Sequence, residues 1–481
     1  MSLSTKTITG VLWNFGEQLL RRGVQAFTTI LLAFFLAPEA YGLVAMMAVF
    51  IAIATSVMDS GFKQALIRLS NATQKDLSTA FWTNLGLGGL AYVVLFVSAP
   101  LIADFYKEPQ LVLLIRIASI VVLISAFKIV QEAVFSRELN FKIQLKANLP
   151  AALVSSVVAI VLAYWDYGVW ALVAQMHIFA LISVLSFWYY SRWRPSFLFN
   201  KQSFLKMYDF GYKLLLSGLL DIVFRNVYVI VIAKTLSSGI TGLYYFATQI
   251  VSIIDTQLVS AISNVTYPAL SKIQSDEKKL KEGYRRIIIL VTFIVFPTFT
   301  CLAALAGPLF HAFLPERWWQ AVPYLQWLCI GGMFYPLHSI NLNVLKVKGR
   351  SDLFLYLEIV KKALVVFVLL ISFRYGIYGI LIGQAIVTTL AYIPNSYFTA
   401  KLISYPITEQ VKDFLPNLIL SLLVAGGVYS LTLVLLWSEW LMLLVLLPLG
   451  VVAYFLLAYV FKMQALTLCL NLVRQQVLKN R

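Results

Sequence analysis

The eight residues Leu36-Ala37-Pro38-Glu39-Ala40-Tyr41-Gly42-Leu43 decide the fold. They join an apolar stretch at 10–36 to a second at 40–66, with only Ala37-Pro38-Glu39 between them. Each stretch is long enough to cross bilayer hydrocarbon as a helix, and a connection this short makes the two an antiparallel pair. Stretches of the same kind recur at 79–103, 110–133, 147–165, 168–190, 209–233, 240–266, 287–311, 322–345, 353–373, 376–398, 415–437 and 440–461. The 481 residues are 60% hydrophobic and 12% charged, a balance that a water-facing surface cannot carry and lipid can. The expected fold is all-α, a polytopic bundle of about 14 transmembrane helices.

Charge orients the bundle. With helices counted from an inside N-terminus, one set of connections holds 25 of the 38 Lys and Arg, and the other set holds only Lys107, Lys234, Arg317 and Arg374. Positive residues are retained on the cytoplasmic side, so both termini are expected there, in a multi-pass protein of a bacterial inner membrane. This bias accounts for the net charge of +17 without a nucleic-acid partner. The first apolar stretch contains Glu17, Gln18, Arg21 and Arg22, so it is expected to be a retained helix rather than a cleaved signal.

The opening octet also has a second copy. Leu36, Gly42 and Leu43 recur as Leu236, Gly242 and Leu243 at an offset of 200, and Phe15-Gly16 as Phe210-Gly211 at an offset of 195. Both copies start on the same side, so the repeat is parallel, with a pseudo-two-fold axis along the membrane normal. The expected organisation is an N-lobe of helices 1–6 at 1–200, a C-lobe of helices 7–12 at 201–400, and helices 13–14 with a cytoplasmic tail at 401–481. Gly86-Leu87-Gly88-Gly89, Pro297, Gly331-Gly332 with Pro336, and Gly426-Gly427 are expected to break helices, as suits a bundle that rocks.

Several chemistries find no support. The outer connections are too short for a domain that would polymerise or ligate glycan. No GxxxxGK[ST] sequence is present to cradle nucleotide phosphates. His177, His311 and His338 are scattered, and Cys301, Cys329 and Cys469 have no disulfide or metal spacing. No enzyme, cofactor or metal is expected.

The charges within the apolar stretches need a reason, because each costs about 2.5–3.5 kcal/mol at the bilayer centre. Glu17–Arg21, Asp59–Lys63, Asp221–Arg225 and Glu358–Lys362 all stand at i,i+4 with the acid first, which places each pair on one helical face. Two explanations stand for every pair: mutual neutralisation that makes insertion tolerable, or a functional site. Lys63, Lys128, Glu132 and Lys213 lie near the cytoplasmic interface, where snorkelling explains them. Arg21, Arg22, Arg116 and Arg225 lie deeper, and their planar forks suit phosphate oxygens. Asp255 has no basic neighbour at i±3 or i±4, which makes it either a proton or sodium site or a hydrogen-bonded acid. Trp165, Trp170, Trp318, Trp319, Trp437 and Trp440 are expected to form an interfacial belt. The basic run Lys272–Arg286 is expected to be a linker, lying on the inner leaflet or solvated.

An ordered set of segments carries a family resemblance: Asp59-Ser60-Gly61-Phe62 with Ala65-Leu66-Ile67, Phe224-Arg225-Asn226, Gly242-Leu243-Tyr244-Tyr245, Tyr267-Pro268-Ala269-Leu270-Ser271-Lys272-Ile273-Gln274, Pro315-Glu316-Arg317-Trp318 and Lys348-Gly349-Arg350-Ser351-Asp352. In these the chain resembles the polysaccharide transporters of the multidrug/oligosaccharidyl-lipid/polysaccharide flippase superfamily, above all the Wzx-like O-antigen and exopolysaccharide flippases. It departs from them where Val227-Tyr228 follow Arg225-Asn226, a place at which the family often carries Asp. The resemblance implies a lipid-linked oligosaccharide cargo of the undecaprenyl pyrophosphate type, moved by alternating access without covalent chemistry. It implies membrane lipids, a glycan polymerase and a chain-length regulator as partners, and is compatible with a working monomer. On it, Arg21, Arg22, Arg225 and Arg116 are expected to contact the pyrophosphate, and Asp255 to couple an ion. A cation-coupled multidrug exporter of the same superfamily is the alternative.

Overall fold

Pro38 opens a helix for a local reason. Its fixed φ and missing N–H suit a first helical turn, and Ala37 before it is extended at φ −78°, ψ 157°. A computed structural model describes residues 3–69 and 71–479, and among these residues all regular structure is helical. In chain order the first helices are α1 (Leu3–Phe35), α2 (Pro38–Asp59), α3 (Phe62–Arg68), α4 (Gln74–Tyr106), α5 (Leu111–Ala118), α6 (Ile120–Ala126), α7 (Ile129–Arg137), α8 (Phe141–Tyr164), α9 (Val169–Tyr190), α10 (Lys201–Arg225), α11 (Val227–Thr235) and α12 (Ser238–Ser271). There follow α13 (Glu277–Ala304), α14 (Ala306–Phe313), α15 (Val322–Val347), α16 (Ser351–Ser372), α17 (Gly376–Leu390), α18 (Tyr392–Ile403), α19 (Ile407–Val434), α20 (Glu439–Val460) and α21 (Gln464–Lys479). The chain divides within α12 into two compact units, Met1–Tyr245 and Phe246–Arg481.

Among the described residues, seven helices are long and apolar enough to cross a membrane, or nine if each of two bent pairs is one span. The bent pairs are α5–α6 with α7, at 43°, and α10 with α11, at 47°. The protein is therefore a multi-pass membrane protein. The remaining long helices include α1, which carries Glu17, Arg21 and Arg22, and α16, which carries Glu358 and Lys362.

The helix breaks do not fall where glycine and proline suggest. α4, α13, α15 and α19 run through Gly86–Gly89, Pro297, Gly331-Gly332 with Pro336, and Gly426-Gly427 without interruption. In a membrane, neighbouring helices and local adjustments satisfy the backbone groups that such residues release. The chain breaks instead at Ser60-Gly61, where both residues are left-handed, at Phe127-Lys128, and at Arg225-Asn226.

In the first unit α8 packs between α1 and α9. Ala147, Ala151, Ser155, Ala159 and Ala163 are buried at every fourth position and let the neighbours approach closely. Thr28 of α1 and Ser156 of α8 hydrogen-bond across that contact at 2.8 Å. Met46, Met47, Phe62, Phe81, Ile115 and Val122 form the centre of a larger core beside it. Two crossings are so close that only glycine fits. A Cβ on Gly42 would lie 1.9 Å from the Ser238 carbonyl oxygen, and one on Gly242 1.8 Å from that of Pro38. Gly61, at φ +74°, similarly meets the backbone of Gly211.

In the second unit Phe293, Leu420, Val424, Tyr454 and Ala458 centre a core of α13, α19, α20 and α21. The basic run after α12 is mostly not a linker. Asp276 caps α13 by accepting the Lys279 N–H, which holds its carboxyl below the usual range, and Leu280 and Tyr284 are buried in the first turns. Lys281 pairs with Glu409 at 2.8 Å, and Arg285 grips Asp413 with two N–H groups at 2.7 and 2.6 Å. Trp165, Trp437 and Trp440 are exposed, as a belt requires, whereas Trp318 is fully buried against Phe246, with ring centroids 4.6 Å apart. Phe246 in turn meets Phe310 edge-on, and full burial leaves the Trp318 ring no lipid-facing side.

Candidate functional site

The charges of the first unit gather inside the bundle. Arg21 of α1 donates its Nε–H to Glu17 one turn earlier, at 3.0 Å, and Asn148 of α8 donates to the same Glu17 oxygen at 3.2 Å. Ser183 of α9 donates to the Asn148 carbonyl at 3.0 Å and accepts from the Lys128 ammonium at 3.0 Å. Lys128, at the bend before α7, also pairs with Glu132 at 2.9 Å, and Lys63 of α3 holds the other Glu132 oxygen at 2.7 Å. A continuous polar chain thus runs from Arg21 to Lys63 through α1, α8, α9, α7 and α3. Ordered charges in such a setting need partners on every side, and each carboxylate here has two.

A cavity of about 250 Å³ opens along this chain, lined by Glu17, Arg21, Lys128, Glu132, Gln144, Asn148, Phe179 and Phe187. Lys128 lies over the rings of Phe179 and Phe187, 5.8 and 5.7 Å from their centroids, which adds cation–π attraction to its ion pair. The break between α6 and α7 is what positions Lys128. An unbroken helix would carry it on in register instead of turning the chain by 43° there.

The structure treats the residues singled out from the sequence differently. Glu17–Arg21 and Asp221–Arg225 pair at 3.0 and 2.7 Å, the second on an exposed surface. Asp59 accepts the Lys63 backbone N–H at 3.0 Å, while the Lys63 ammonium reaches Glu132. Glu132 already holds Lys128, so a doubly engaged carboxylate across the bundle draws the ammonium from its own helix face. Glu358 pairs with Lys361, one position nearer than Lys362. Lys362 is engaged as well. Arg116 donates to the Phe96 carbonyl at 3.3 Å and lies over the Phe96 ring at 4.5 Å. The Arg22 side chain lies outside the described residues. Asp255 has one buried carboxylate oxygen with no hydrogen-bond partner among the described residues. Lys213 lies 3.7 Å from Asp209, both well exposed.

Sequence reasoning places Lys63, Lys128 and Glu132 at the interface and passes over Asn148, Ser183 and Gln144. One signal is present. Lys128 and Glu132 stand at i,i+4 with the base first, the reverse of the order in the four acid-first pairs. Nothing in the sequence marks one amide or hydroxyl among many as a bridge between two ion pairs.

A second polar cluster lies in the second unit. Tyr284 donates to Asn341 at 2.5 Å, Tyr392 to Gln410 at 2.6 Å, and His338 bonds to Asn395 and to the Thr388 carbonyl, both at 2.9 Å. It ties α13, α15, α17, α18 and α19 together. Among the described residues no group of His, Cys, Asp and Glu is arranged to hold a metal ion.

Comparison with solved structures gives the fold. A lipid II flippase MurJ in an inward closed conformation superposes with a TM-score of 0.74, at 16% identity over 94% of this chain and 98% of that one. An inward-facing multidrug resistance MATE family transporter gives 0.60, at 18% identity over 80% and 94%. Among curated proteins, the chain is similar to the teichuronic acid biosynthesis protein TuaB of Bacillus subtilis, 29% identical over 302 residues, and spans 62% of that relative's length. It is also similar to the lipopolysaccharide biosynthesis protein WzxC of Escherichia coli, 26% identical over 400 residues, 82% of this chain and 81% of that one. The model of a family described as polysaccharide biosynthesis protein matches residues 31–323, more than half of the chain. A helical membrane bundle that holds a chain of ion pairs beside a cavity, and matches that model over more than half of its length, belongs to the polysaccharide biosynthesis protein family.

Proposed function

We propose that this protein is a flippase that moves a polyprenyl-pyrophosphate-linked oligosaccharide repeat unit from the inner to the outer leaflet, by alternating access, for surface polysaccharide synthesis. The observation that carries the reading is the pair of cations Arg21 and Lys128 lining a cavity in an apolar bundle, with Lys63 behind them on Glu132. A pyrophosphate with its glycan cannot enter hydrocarbon without losing its hydration, so a carrier must offer it charged and polar partners within the membrane. Arg21, Arg22, Arg225 and Arg116 are the proposed pyrophosphate contacts, and Asp255 the proposed site of ion coupling. Both termini are taken as cytoplasmic, with two six-helix lobes at 1–200 and 201–400 moving about their shared axis. A glycan polymerase and a chain-length regulator are the proposed protein partners. Support comes from membership of the polysaccharide family and from a fold shared with a lipid II flippase.

The test is deletion of the gene in its host. The expected result is lipid-linked oligosaccharide accumulating on the inner leaflet with loss of surface glycan, restored by the intact gene and not by Arg21→Ala. Normal glycan with raised sensitivity to organic cations would overturn this reading in favour of a multidrug exporter.

A further inference from the structure

The connection at 191–200 between α9 and α10 has no regular structure, yet it is held in place along its length. α4 supplies the grip. Gln74 donates its amide to the Arg194 carbonyl at 2.8 Å and accepts from the Trp193 indole at 2.7 Å. The Trp82 indole donates to the Ser196 carbonyl at 2.9 Å, the Ser196 N–H to the Ser78 hydroxyl at 3.1 Å, and the Asn200 N–H to the Thr79 hydroxyl at 3.0 Å. Arg194 closes the end of α9 by donating to the Trp188 and Ser191 carbonyls, at 2.9 and 2.5 Å.

This fixed strap turns its apolar side chains outward. Phe197 stands beside Trp82, with ring centroids 5.2 Å apart, and is still 93% exposed, while Leu198 and Phe199 are 49% and 61% exposed. Arg192 and Lys201 flank this tip in the sequence. Both are exposed, and neither side chain has a partner among the described residues. No carboxylate occurs from 191 to 201, and the nearby acid Asp76 is engaged by Thr73. An aromatic belt accounts for exposed rings but not for two cations kept clear of acids. Charge that fixes topology accounts for the cations but not for an apolar tip locked in one conformation.

Membrane geometry selects the occupant. α9 ends at Tyr190 and α10 begins at Lys201, and both belong to spans, so the strap lies where the chain leaves and re-enters the bilayer. Its irregular backbone bars it from the hydrocarbon, where exposed loops do not occur. It therefore faces the headgroup layer, with acyl chains just beneath. A neutral lipid would cover the tip and leave the cations unpaired. A soluble anion would pair the cations and leave Phe197 and Phe199 in water. A phospholipid with a net negative headgroup satisfies both.

We propose that the 191–200 strap is a binding site for an anionic phospholipid, with its phosphate on Arg192 and Lys201 and its acyl chains against Phe197, Leu198 and Phe199. The site is independent of what the protein transports. Its place in the cytoplasmic leaflet, whose anionic lipids attract basic segments, rests on the orientation assigned from charge.

The test uses the full-length protein in dodecyl maltoside micelles at constant ionic strength, with thermal unfolding recorded against added phosphatidylglycerol, phosphatidylcholine and glycerol 1-phosphate. Phosphatidylglycerol is expected to raise Tm in a saturable way, and the other two to leave it unchanged. Its half-saturating concentration is expected to rise about ten-fold or more when Arg192→Gln and Lys201→Gln are combined, as the loss of two surface cations predicts. A rise is also expected when Phe197→Ser and Phe199→Ser are combined, while Lys462→Gln, at an exposed lysine after α20, responds as the unaltered protein does. Arg192 and Lys201 hold nothing within the fold, so their replacement carries the test alone should the aromatic variant fail to fold. Equal shifts from the two lipids, a shift from glycerol 1-phosphate, an unchanged phosphatidylglycerol response in the cation variant, or no response to any probe would each overturn the site. The orientation fails separately, through a reporter fusion active at Lys142, which moves the site to the other leaflet and leaves binding in micelles as it is.

Discussion

Lys128 holds Ser183 and Glu132 at once, and Glu132 holds Lys63 as well. Removing one member of such a triad leaves a partly buried charge without its partner. Glu132→Leu is expected to destabilise the protein by about 2 kcal/mol, below the full cost for a buried pair because Lys63 is partly exposed to solvent. Adding Lys63→Leu and Lys128→Leu is expected to recover much of that loss, which unfolding of the three variants in detergent checks. Recovery of stability without recovery of glycan export would separate the triad's role in transport from its role in the fold. Asp255→Asn keeps the shape of the side chain and removes its charge; export that no longer responds to dissipation of the proton or sodium gradient is the expected result, read in inverted vesicles. At this scale the sequence was legible where partners share a helix, as in Glu17–Arg21 and Asp221–Arg225. It misled at Lys63, whose spacing to Asp59 is right but whose ammonium finds Glu132, 69 residues away. Spacing says which face a side chain occupies and cannot say which stronger partner another helix brings to that face.

Helices were legible as elements because apolar stretches of spanning length are hard to mistake, and the fourteen stretches read from the sequence are all helical over most of their length. Their ends and bends were not. The basic run near Lys281 reads as a loop by charge alone, yet Asp276 caps a helix there and Arg285 and Lys281 tie it to α19. Arg285→Ala is expected to free the first turns of α13, seen as faster amide exchange at 277–285, while Lys279→Ala, on the exposed side, leaves them protected. The α2–α12 crossing makes a sharper prediction. Gly242→Ala places a methyl against the Pro38 carbonyl and has no side chain to displace, so the helices must part. Loss of export in Gly242→Ala, with Gly86→Ala unaffected because a Cβ there meets open space, is the expected contrast.

For the whole molecule, reporter fusions that are active only on the outer side of the membrane test the orientation. Fusions at Asp166 and at Trp437 are expected to be active, and fusions at Lys142 and Lys348 to be silent. Activity at Lys142 would invert the topology and every side assigned from charge. Among the few residues that recur in the sequence at an offset of 200, two meet in the structure. Gly42 and Gly242 stand 200 residues apart, and each lies against the backbone of the other's helix. A duplicated gene lets its halves drift apart wherever one copy can change alone. At this crossing neither can, since a larger residue on either side strikes main chain that no compensating substitution removes. Descendants of such a duplication should therefore keep this pair of glycines long after the rest of the two halves have lost any recognisable kinship.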